Sequence, residues 1–429
     1  MATDSLQPSI DPEDDLEEAD SLPPVVGETL RLPCIDARDQ ALPIRPGDLT
    51  RLLMAQPGLT AEDRDLLGKF GPLLGATFHN EFYERLRELK ELYAPLDPDS
   101  DYVRLGEHSR SRTEGSDEEF LPPFEATLVR ANYRRLDVKV IEQAVEAPNE
   151  TGLTFEPDFS LFEHLGIYVR GYTQIARVFR SAKTKYRKRT MLLDAYQRLI
   201  IVLKFKAGID LGPFVRSDVI YLRLFKDVPH VDMEMHLPEQ GTRVKMRWVD
   251  KAQIASPLAV GLPTLAFKLL GVWSAAFVNP LVLAPLIVAP ISAGVNSFFG
   301  FHRAKNKHLS SMIRNLYYLT MANNGSVLTR LVDSAEEEEY KETMLAYYFL
   351  WRGAGEAEDW TESKLDRHIE SFLQGVSGVD IDFEISDALS KLFRLGLARR
   401  DRHGRLRATP IDQALVALDR RWDNTFRYS

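Results

Sequence analysis

The chain has 429 residues, enough for two to four domains, and its 44% apolar and 27% charged content is ordinary for folded protein. The single cysteine, Cys34, excludes an internal disulfide framework and is typical of a reducing compartment. The net charge of −9 is concentrated in residues 1–30, which contain nine acidic residues and no lysine or arginine. We predict a disordered acidic tail there, which is neither a signal peptide nor a mitochondrial transit peptide.

Residues 31–112 are predicted to form a helical region followed by a linker. Between Leu66 and Tyr93, apolar side chains recur at steps of three and four residues, as on the buried face of a helix. The aspartate-rich segment 97–101 ends this pattern, and the charged stretch after it is typical of a linker.

Residues 113–250 are predicted to form an α+β domain. Leu199–Phe205 and Val219–Phe225 are apolar runs, each interrupted by one basic residue, Lys204 or Arg223, whereas His230–Leu237 and Arg243–Val249 alternate between apolar and polar residues. Both patterns are typical of β-strands.

The alternating run from His230 places four side chains of metal-ligand type on one strand face. They are His230, Asp232, Glu234 and His236. A strand spreads such residues over about 20 Å, so a single ion would reach only neighbouring pairs. A solvated polar face is the alternative, and we assign no metal ligands. The sequence also contains no recognisable nucleotide-binding or hydrolase motif, so we predict no catalytic residue, no cofactor and no enzymatic activity.

The basic segment within this domain contains seven lysine or arginine residues and no acidic one. They are Arg177, Arg180, Lys183, Lys185, Arg187, Lys188 and Arg189. Such a cluster favours contact with the headgroups of anionic lipids. A solvated loop and a contact with the acidic tail are the alternatives.

A long apolar segment follows, in which Lys268 is the only charged residue between positions 252 and 301. The turn-forming pair Asn279-Pro280 divides it into two halves of twenty residues, enough for each to cross the ~30 Å hydrocarbon layer. We therefore predict a transmembrane helical hairpin at residues 251–302, with the lipid bilayer as its partner. The residues that mark the two spans are Leu258, Lys268, Phe277, Pro280, Pro290 and Phe299.

Lys268 is expected to face the second helix near Pro290, whose missing N–H frees the Leu286 carbonyl. A role for Lys268 in a pore or relay is the alternative. A hairpin buried in a soluble core and a re-entrant loop are alternatives to two spans. Four basic residues lie on each outer flank of the hairpin and none at its turn, which predicts that both flanks are cytoplasmic.

Residues 303–429 are predicted to be a helical extension and a winged-helix-like domain. The expected elements are a helix at 362–375, a strand at Val379–Phe383, a helix at Ile385–Leu397, a hairpin at 398–409 and a helix at 411–422. Arginines surround the hairpin, but the helix before it has only Lys391 and Arg394 as cations. We therefore expect protein docking here and no binding of nucleic acid.

Several segments resemble one known family. They are Asp218–Pro229, Asp232–Pro238, Asn315–Tyr318 and Asn323–Asp333. The chain is similar through them to the family of transmembrane protein 143, over nearly its whole length from about residue 48. The resemblance implies a domain of unknown function with two predicted spans and carries no catalytic residues. Animal members are assigned to mitochondria, whereas the acidic tail here favours a bacterial member in the cytoplasmic membrane.

The predicted fold class is therefore α+β with a two-helix transmembrane hairpin, an N-terminal helical region and a C-terminal winged-helix-like domain. The predicted function is that of a membrane-anchored, non-enzymatic adaptor with both termini in the cytoplasm. A protein partner or a homo-oligomer is expected, and no small-molecule substrate. The alternatives are an oligomeric channel or transporter subunit, in which Lys268 lines the pore, and a membrane-tethered nucleic-acid-binding regulator.

Overall fold

The protein was analysed as a computed structural model, and the fold within its described residues is α+β. The residues that the structure describes are 38–101, 116–137, 153–180, 188–209, 215–230, 233, 242–246, 317–353 and 360–425.

Three helices open the described chain: α1 (Pro46–Met54), α2 (Ala61–Tyr93) and α3 (Ser116–Arg130). A capping box starts α2, because the Thr60 hydroxyl accepts from the backbone N–H of Asp63 at 3.0 Å and the Asp63 carboxylate accepts from the backbone N–H of Thr60 at 2.9 Å. The predicted apolar face of α2 is buried as expected. It includes Leu67, Phe70, Leu74, Phe78, Phe82 and Leu89.

The strands form one main sheet and a separate ribbon. In chain order they are β1 (Arg134–Arg135), β2 (Leu153–Pro157), β3 (Phe162–Arg180), β4 (Lys188–Phe205), β5 (Tyr221–Pro229), β6 (Thr242–Met246) and β7 (Thr320–Asn323). The five-stranded sheet has the order β1-β3-β4-β5-β7, and its neighbouring strands are antiparallel. Strands β2 and β6 pair with each other.

The predicted apolar run 199–205 lies in β4, whose two faces are both buried. Ile200 and Val202 pack in the core that contains the helices, whereas Leu199 and Ile201 pack in a second core on the opposite face. Burial on both faces explains why the sequence is continuously apolar from Leu199 to Leu203 instead of alternating.

The C-terminal part packs around one long helix, α4. Its elements are α4 (Gly325–Arg352), α5 (Glu362–Ser377), α6 (Ile385–Arg394), β8 (Ala398–Arg400), β9 (Leu406–Ala408) and α7 (Ile411–Asn424). Helix α4 packs against α2, α3, α5 and α6, and α7 packs on α2. The helices and the hairpin fall where the sequence predicted them. The predicted strand at Val379–Phe383 is wrong, since only Ile381 forms a bridge there, to Asp39.

The predicted fold class needs one correction, which concerns the membrane. No helix among the described residues is both long enough and apolar enough to cross a bilayer. The two longest, α2 and α4, carry charged side chains along their length. Within the described residues the fold is thus α+β with a five-stranded antiparallel sheet, and the predicted transmembrane hairpin is not found among them; residues 251–302, to which the prediction assigned it, lie outside the described part.

Candidate functional site

A short strap, residues 38–42, ties the sheet to the C-terminal helices. The Asp39 carbonyl accepts from the backbone N–H of Asp382 at 2.9 Å, and the Asp39 carboxylate accepts from the backbone N–H of Tyr172 at 3.0 Å. Burial raises the pKa of the Asp39 carboxyl, although the backbone N–H of Ala41 and the charge of Arg170 oppose this. The strap therefore fixes three parts of the chain around one carboxylate.

A pocket of about 500 Å³ opens beside the strap. Its walls come from the strap, from the turn after α3 with β1, from the middle of β3 and β4, and from the segment before α6. The lining residues are Arg38, Asp39, Gln40, Asn132, Arg134, Val169, Arg170, Gly171, Tyr172, Tyr196 and Asp382. The volume falls within the range of small-molecule sites.

The β3 wall depends on a glycine. Gly171 has a φ of 73°, in the left-handed region, and a Cβ added to it would lie 2.6 Å from the Gln197 side-chain oxygen. The Gln197 amide in turn donates to the Tyr172 carbonyl at 3.1 Å. Glycine is therefore required here both by the backbone conformation and by the neighbouring side chain.

Most charges in the pocket wall already have partners, but two do not. Arg38 is 3.0 Å from Glu370, and Arg170 is 3.1 Å from the buried Glu338. Arg134, in contrast, has no ion pair with any described residue; its guanidinium carbon lies 5.0 Å from the centre of the Tyr172 ring. The exposed Asp382 carboxylate likewise has no cationic partner among the described residues. These two opposite charges are available to a ligand.

The aromatic wall adds buried polar atoms without hydrogen-bond partners. The Tyr172 hydroxyl is one of them, and both ring nitrogens of His230 are others. His230 is only 3% exposed, and its ring centre lies 4.2 Å from that of Tyr196. Burial lowers the pKa of His230 to about 4, so the imidazole is neutral at pH 7.

The buried position of His230 contradicts the polar strand face predicted for it. Strand β5 ends at Pro229, and His230 follows as part of a short turn instead of a strand. The other residues of the alternative metal reading, Asp232, Glu234 and His236, lie outside the described residues. Within the described part, no cluster of three or more ligand-type side chains could hold a metal ion.

Behind the pocket lies a network of buried ion pairs on α4. Glu338, which is fully buried, accepts from Lys341 at 2.7 Å, from the backbone N–H of Leu42 at 3.1 Å and from Arg170. Lys341 also donates to the Leu42 carbonyl at 2.7 Å. This half of the network joins α4 to the strap and to the sheet.

The other half joins α4 to α6 and α3. Lys391 of α6 lies 2.5 Å from Glu342 and 3.2 Å from Glu339, and Arg130 of α3 donates to Glu339 at 2.6 Å. Burial raises the pKa of Glu342 to about 7. Burial opposes the charge on Lys391 as well, but the surrounding carboxylates outweigh it and raise the pKa of Lys391 above its ordinary value.

This network makes α6 poorly suited to bind nucleic acid. Lys391 is 4% exposed and faces α4, and Arg394 lies 2.7 Å from Glu81 on α2. Of the two cations predicted on this helix, Lys391 is therefore engaged inside the protein and Arg394 in an exposed ion pair. In the hairpin that follows, Arg400 pairs with Glu362.

The predicted basic segment lies at the far end of the long β3–β4 hairpin. Pairing of these strands continues to Arg180 and Lys188, whereas β5 leaves β4 at Ala195. The last seven residues of β3, 174–180, therefore pair only with β4 within the described sheet, and they extend about 20 Å past it at ~3.3 Å per residue. Arg177, Arg180, Lys188 and Arg189 lie in this two-stranded ribbon, and Lys183, Lys185 and Arg187 lie outside the described residues.

The residues predicted to mark the membrane spans do not enter the site. Leu258, Lys268, Phe277, Pro280, Pro290 and Phe299 all lie outside the described residues. Conversely, no pattern in the sequence indicated Arg134, Tyr172 or Asp382 as site residues, because they are separated by up to 248 positions and meet only in the folded pocket.

Part of the chain is similar to a family whose function is unknown. Residues 162–326 match the family described as protein of unknown function (DUF3754). The match begins with β3 and ends at the start of α4, which is less than half of the chain. No solved structure matches the chain. The resemblance to the family of transmembrane protein 143 is not tested by this match and stays a prediction.

Proposed function

We propose that the protein is a non-enzymatic adaptor that holds a basic β-ribbon against an anionic phospholipid surface on the cytoplasmic side of a bacterial membrane. The observation that carries the proposal is the ribbon formed by β3 and β4, which extends beyond the sheet with its basic residues at the far end. Lysine and arginine near an anionic bilayer each contribute about 1 kcal/mol of binding free energy.

The charge distribution favours a flat anionic surface over nucleic acid. Residues 1–30 account for the chain's whole net charge of −9, and such an acidic segment opposes wrapping around a polyanion. A ribbon of about 20 Å keeps the rest of the sheet roughly two Debye lengths from a surface that its tip touches. Lys391 is buried and Arg394 pairs with Glu81, so both cations of α6 already have carboxylate partners, which disfavours this helix as a second basic element for binding DNA.

The buried network on α4 supports the adaptor role, because it holds the ribbon-bearing sheet and the C-terminal helices in one fixed arrangement. Arg170 of β3 and Lys391 of α6 both pair with carboxylates of the same helix. A protein that links a surface to a partner needs such a rigid connection between its two binding regions. The C-terminal helices and hairpin are the region that we assign to a protein partner.

Co-sedimentation with vesicles tests the lipid proposal. The full chain should bind vesicles that contain phosphatidylglycerol and should not bind vesicles of phosphatidylcholine alone. The double variant Arg180→Gln/Lys188→Gln should lose about 2 kcal/mol, roughly a thirtyfold weaker binding. Arg399→Gln/Arg402→Gln is the matched control, since it removes two exposed arginines from the other basic hairpin and should change nothing.

Two outcomes would contradict the proposal. The first is equal binding to both kinds of vesicle, or equal loss in the control variant. The second is binding to duplex DNA, but not to anionic vesicles, that is lost in Arg180→Gln/Lys188→Gln; this would assign the ribbon to a groove of nucleic acid.

A further inference from the structure

We propose that the pocket beside the strap binds a small zwitterion with an aromatic or other planar body, of the chemical class of the aromatic amino acids. In this assignment Arg134 binds the carboxylate and Asp382 binds the ammonium group. The inference is independent of the lipid-binding ribbon, because none of the ribbon's basic residues lines the pocket.

The first step concerns charge. Two opposite charges of the pocket, Arg134 and Asp382, have no ion-pair partner among the described residues, whereas Arg38 and Arg170 are paired with glutamates. A simple anion would gain from Arg134 but would meet the carboxylates of Asp39 and Asp382 in the same wall. A simple cation would be attracted by Asp382 but would be repelled by Arg134 in the same wall. A ligand that carries both signs satisfies both free groups.

The second step concerns Arg134. Its guanidinium carbon lies over the Tyr172 ring, 5.0 Å from the ring centre, and this contact holds the group at the pocket wall. A guanidinium presents its N–H groups as a planar fork, which suits the two oxygens of a carboxylate. Hydrogen bonds between charged groups are stronger than those between neutral groups, so we expect this arginine to be decisive for affinity.

The third step is independent of charge and concerns the aromatic wall. Tyr172 and Tyr196 both line the pocket, with ring centres 5.6 Å apart, and they offer apolar faces to a planar body. The same wall contains the Tyr172 hydroxyl, a buried atom that has no hydrogen-bond partner in the described structure. Buried polar atoms without partners are rare in folded proteins, so this hydroxyl is a candidate partner for a polar group of the ligand.

Calorimetric titration of the full chain with three probes tests the assignment. The probes are L-phenylalanine, phenylacetate, which keeps only the carboxylate, and phenethylamine, which keeps only the ammonium group. L-Phenylalanine should bind at least about tenfold more tightly than either single-charge probe, which corresponds to about 1.4 kcal/mol.

Two pocket variants should separate the roles of the two charges. Arg134→Gln should weaken L-phenylalanine and phenylacetate by about tenfold or more and leave phenethylamine unchanged. Asp382→Asn should weaken L-phenylalanine and phenethylamine and leave phenylacetate unchanged or tighter. Arg402→Gln, an exposed arginine outside the pocket, is the matched control and should alter none of the three affinities. Arg134→Lys, which keeps the charge but not the fork, should fall between wild type and Arg134→Gln.

Three results would overturn the inference. One is the absence of saturable binding of all three probes to the folded wild-type chain. Another is binding of L-phenylalanine that neither Arg134→Gln nor Asp382→Asn weakens, because the ligand would then lie elsewhere. The third is phenylacetate that binds as tightly as L-phenylalanine, which would make the pocket a plain anion site.

Discussion

Two arginines four residues apart show how differently this protein uses similar side chains. Arg130, at the end of α3, donates to Glu339 at 2.6 Å and to Glu81 at 2.9 Å. Arg134, in β1, has no ion pair with any described residue and lies over the Tyr172 ring. The first belongs to the buried network on α4 and the second to the pocket beside it. The comparison separates charges that hold the fold together from charges that remain free for a ligand.

The buried network on α4 and the pocket share a wall. This shared wall explains how the pocket keeps charged groups that have no ion-pair partner among the described residues. Asn132 lines the pocket and also donates to Glu342 at 2.9 Å, and Arg170 lines the pocket while it pairs with Glu338. The network therefore fixes the pocket from behind. Because the wall is already rigid, Arg134 needs no ion pair to stay in place over the Tyr172 ring.

The largest effect that we expect comes from breaking the network at Lys391. In Lys391→Met, the buried carboxylates of Glu339 and Glu342 lose their shared cation, and loss of one member of a buried ion pair costs about 3–5 kcal/mol of unfolding free energy. Urea unfolding followed by circular dichroism measures this change.

A second substitution distinguishes loss of charge pairing from loss of packing as the cause of the effect of Lys391→Met. In Lys391→Met/Glu342→Met the orphaned carboxylate is replaced by an apolar side chain, so we expect part of the lost stability to return. If the double variant is less stable than the single one by a further several kcal/mol, packing and not charge is the cause.

The next largest effect is a dependence on pH that arises from Glu342. Burial raises the pKa of Glu342 from its ordinary 4.5 to about 7. Between these values the unfolded chain has released a proton that the folded chain keeps, so stability falls as the pH rises, by about 3 kcal/mol over the window. Glu342→Gln should abolish this decline. Urea unfolding at a series of pH values compares the slopes of variant and wild type, and equal slopes would contradict the assignment.

His230 should make the unfolding free energy depend on pH in the opposite direction. Burial lowers its pKa from 6.5 to about 4, so in this window the unfolded chain binds a proton that the folded chain does not. Stability should therefore fall as the pH is lowered from 6.5 to 4, again by about 3 kcal/mol. His230→Phe should remove this loss, and the same unfolding series detects it.

The two slopes oppose each other between about pH 4.5 and pH 6.5, since one group favours the folded state at low pH and the other at high pH. Each single variant should therefore reveal the slope of the other group, and Glu342→Gln/His230→Phe should again be flat with respect to these two groups. A wild-type profile and variant profiles that all coincide would show that neither group titrates in the window.

The sequence predicted the regular elements better than the site, and α4 shows why. Its helical periodicity was visible from residue 327 to 352, but the run Glu336–Glu339 has the composition of a solvated helix face. In the structure Glu338 and Glu339 are buried, because Arg170, Lys341, Lys391 and Arg130 surround them from four different elements. A local sequence pattern cannot indicate such partners, because they are up to 209 positions away in the sequence.

The errors at the sheet have a similar origin. The alternation at His230–Leu237 predicted a strand with a polar face, yet β5 ends at Pro229 and His230 is buried against Tyr196. An alternation of apolar and polar residues indicates which side chains would share one face of a strand. Tertiary packing determines whether that face is exposed to solvent. The apolar run at Leu199–Phe205 was predicted correctly, since a strand buried on both faces needs no information from distant residues.

A smaller effect is expected at the glycine that shapes the pocket wall. Gly171→Ala should cost about 1–2 kcal/mol for the left-handed backbone and more for the displaced Gln197 side chain, whose oxygen would lie 2.6 Å from the new Cβ. Gly208→Ala is the control, because Gly208 has a similar φ of 81° but no atom within 4 Å of the added Cβ. Both unfolding free energies are measured with urea. A cost for Gly171→Ala no greater than that for Gly208→Ala would show that the wall yields easily.

The smallest expected effect is the one that tests the comparison most directly. Arg134→Gln removes a charge that has no ion-pair partner among the described residues, so no buried carboxylate is left alone and the unfolding free energy should change by less than about 0.5 kcal/mol. Arg130→Gln, four residues earlier, removes one of the two cations that contact the buried Glu339, the other being Lys391, and should cost about 1.5–3 kcal/mol. Urea unfolding of the two variants under one set of conditions compares their losses of unfolding free energy.

A large loss in Arg134→Gln would mean that this arginine stabilises the fold, and the distinction between charges that hold the fold together and charges that bind a ligand would then be wrong. A small loss, together with weaker binding of L-phenylalanine by the same variant, would assign Arg134 to ligand binding, because a residue that only supports the structure changes stability before it changes affinity.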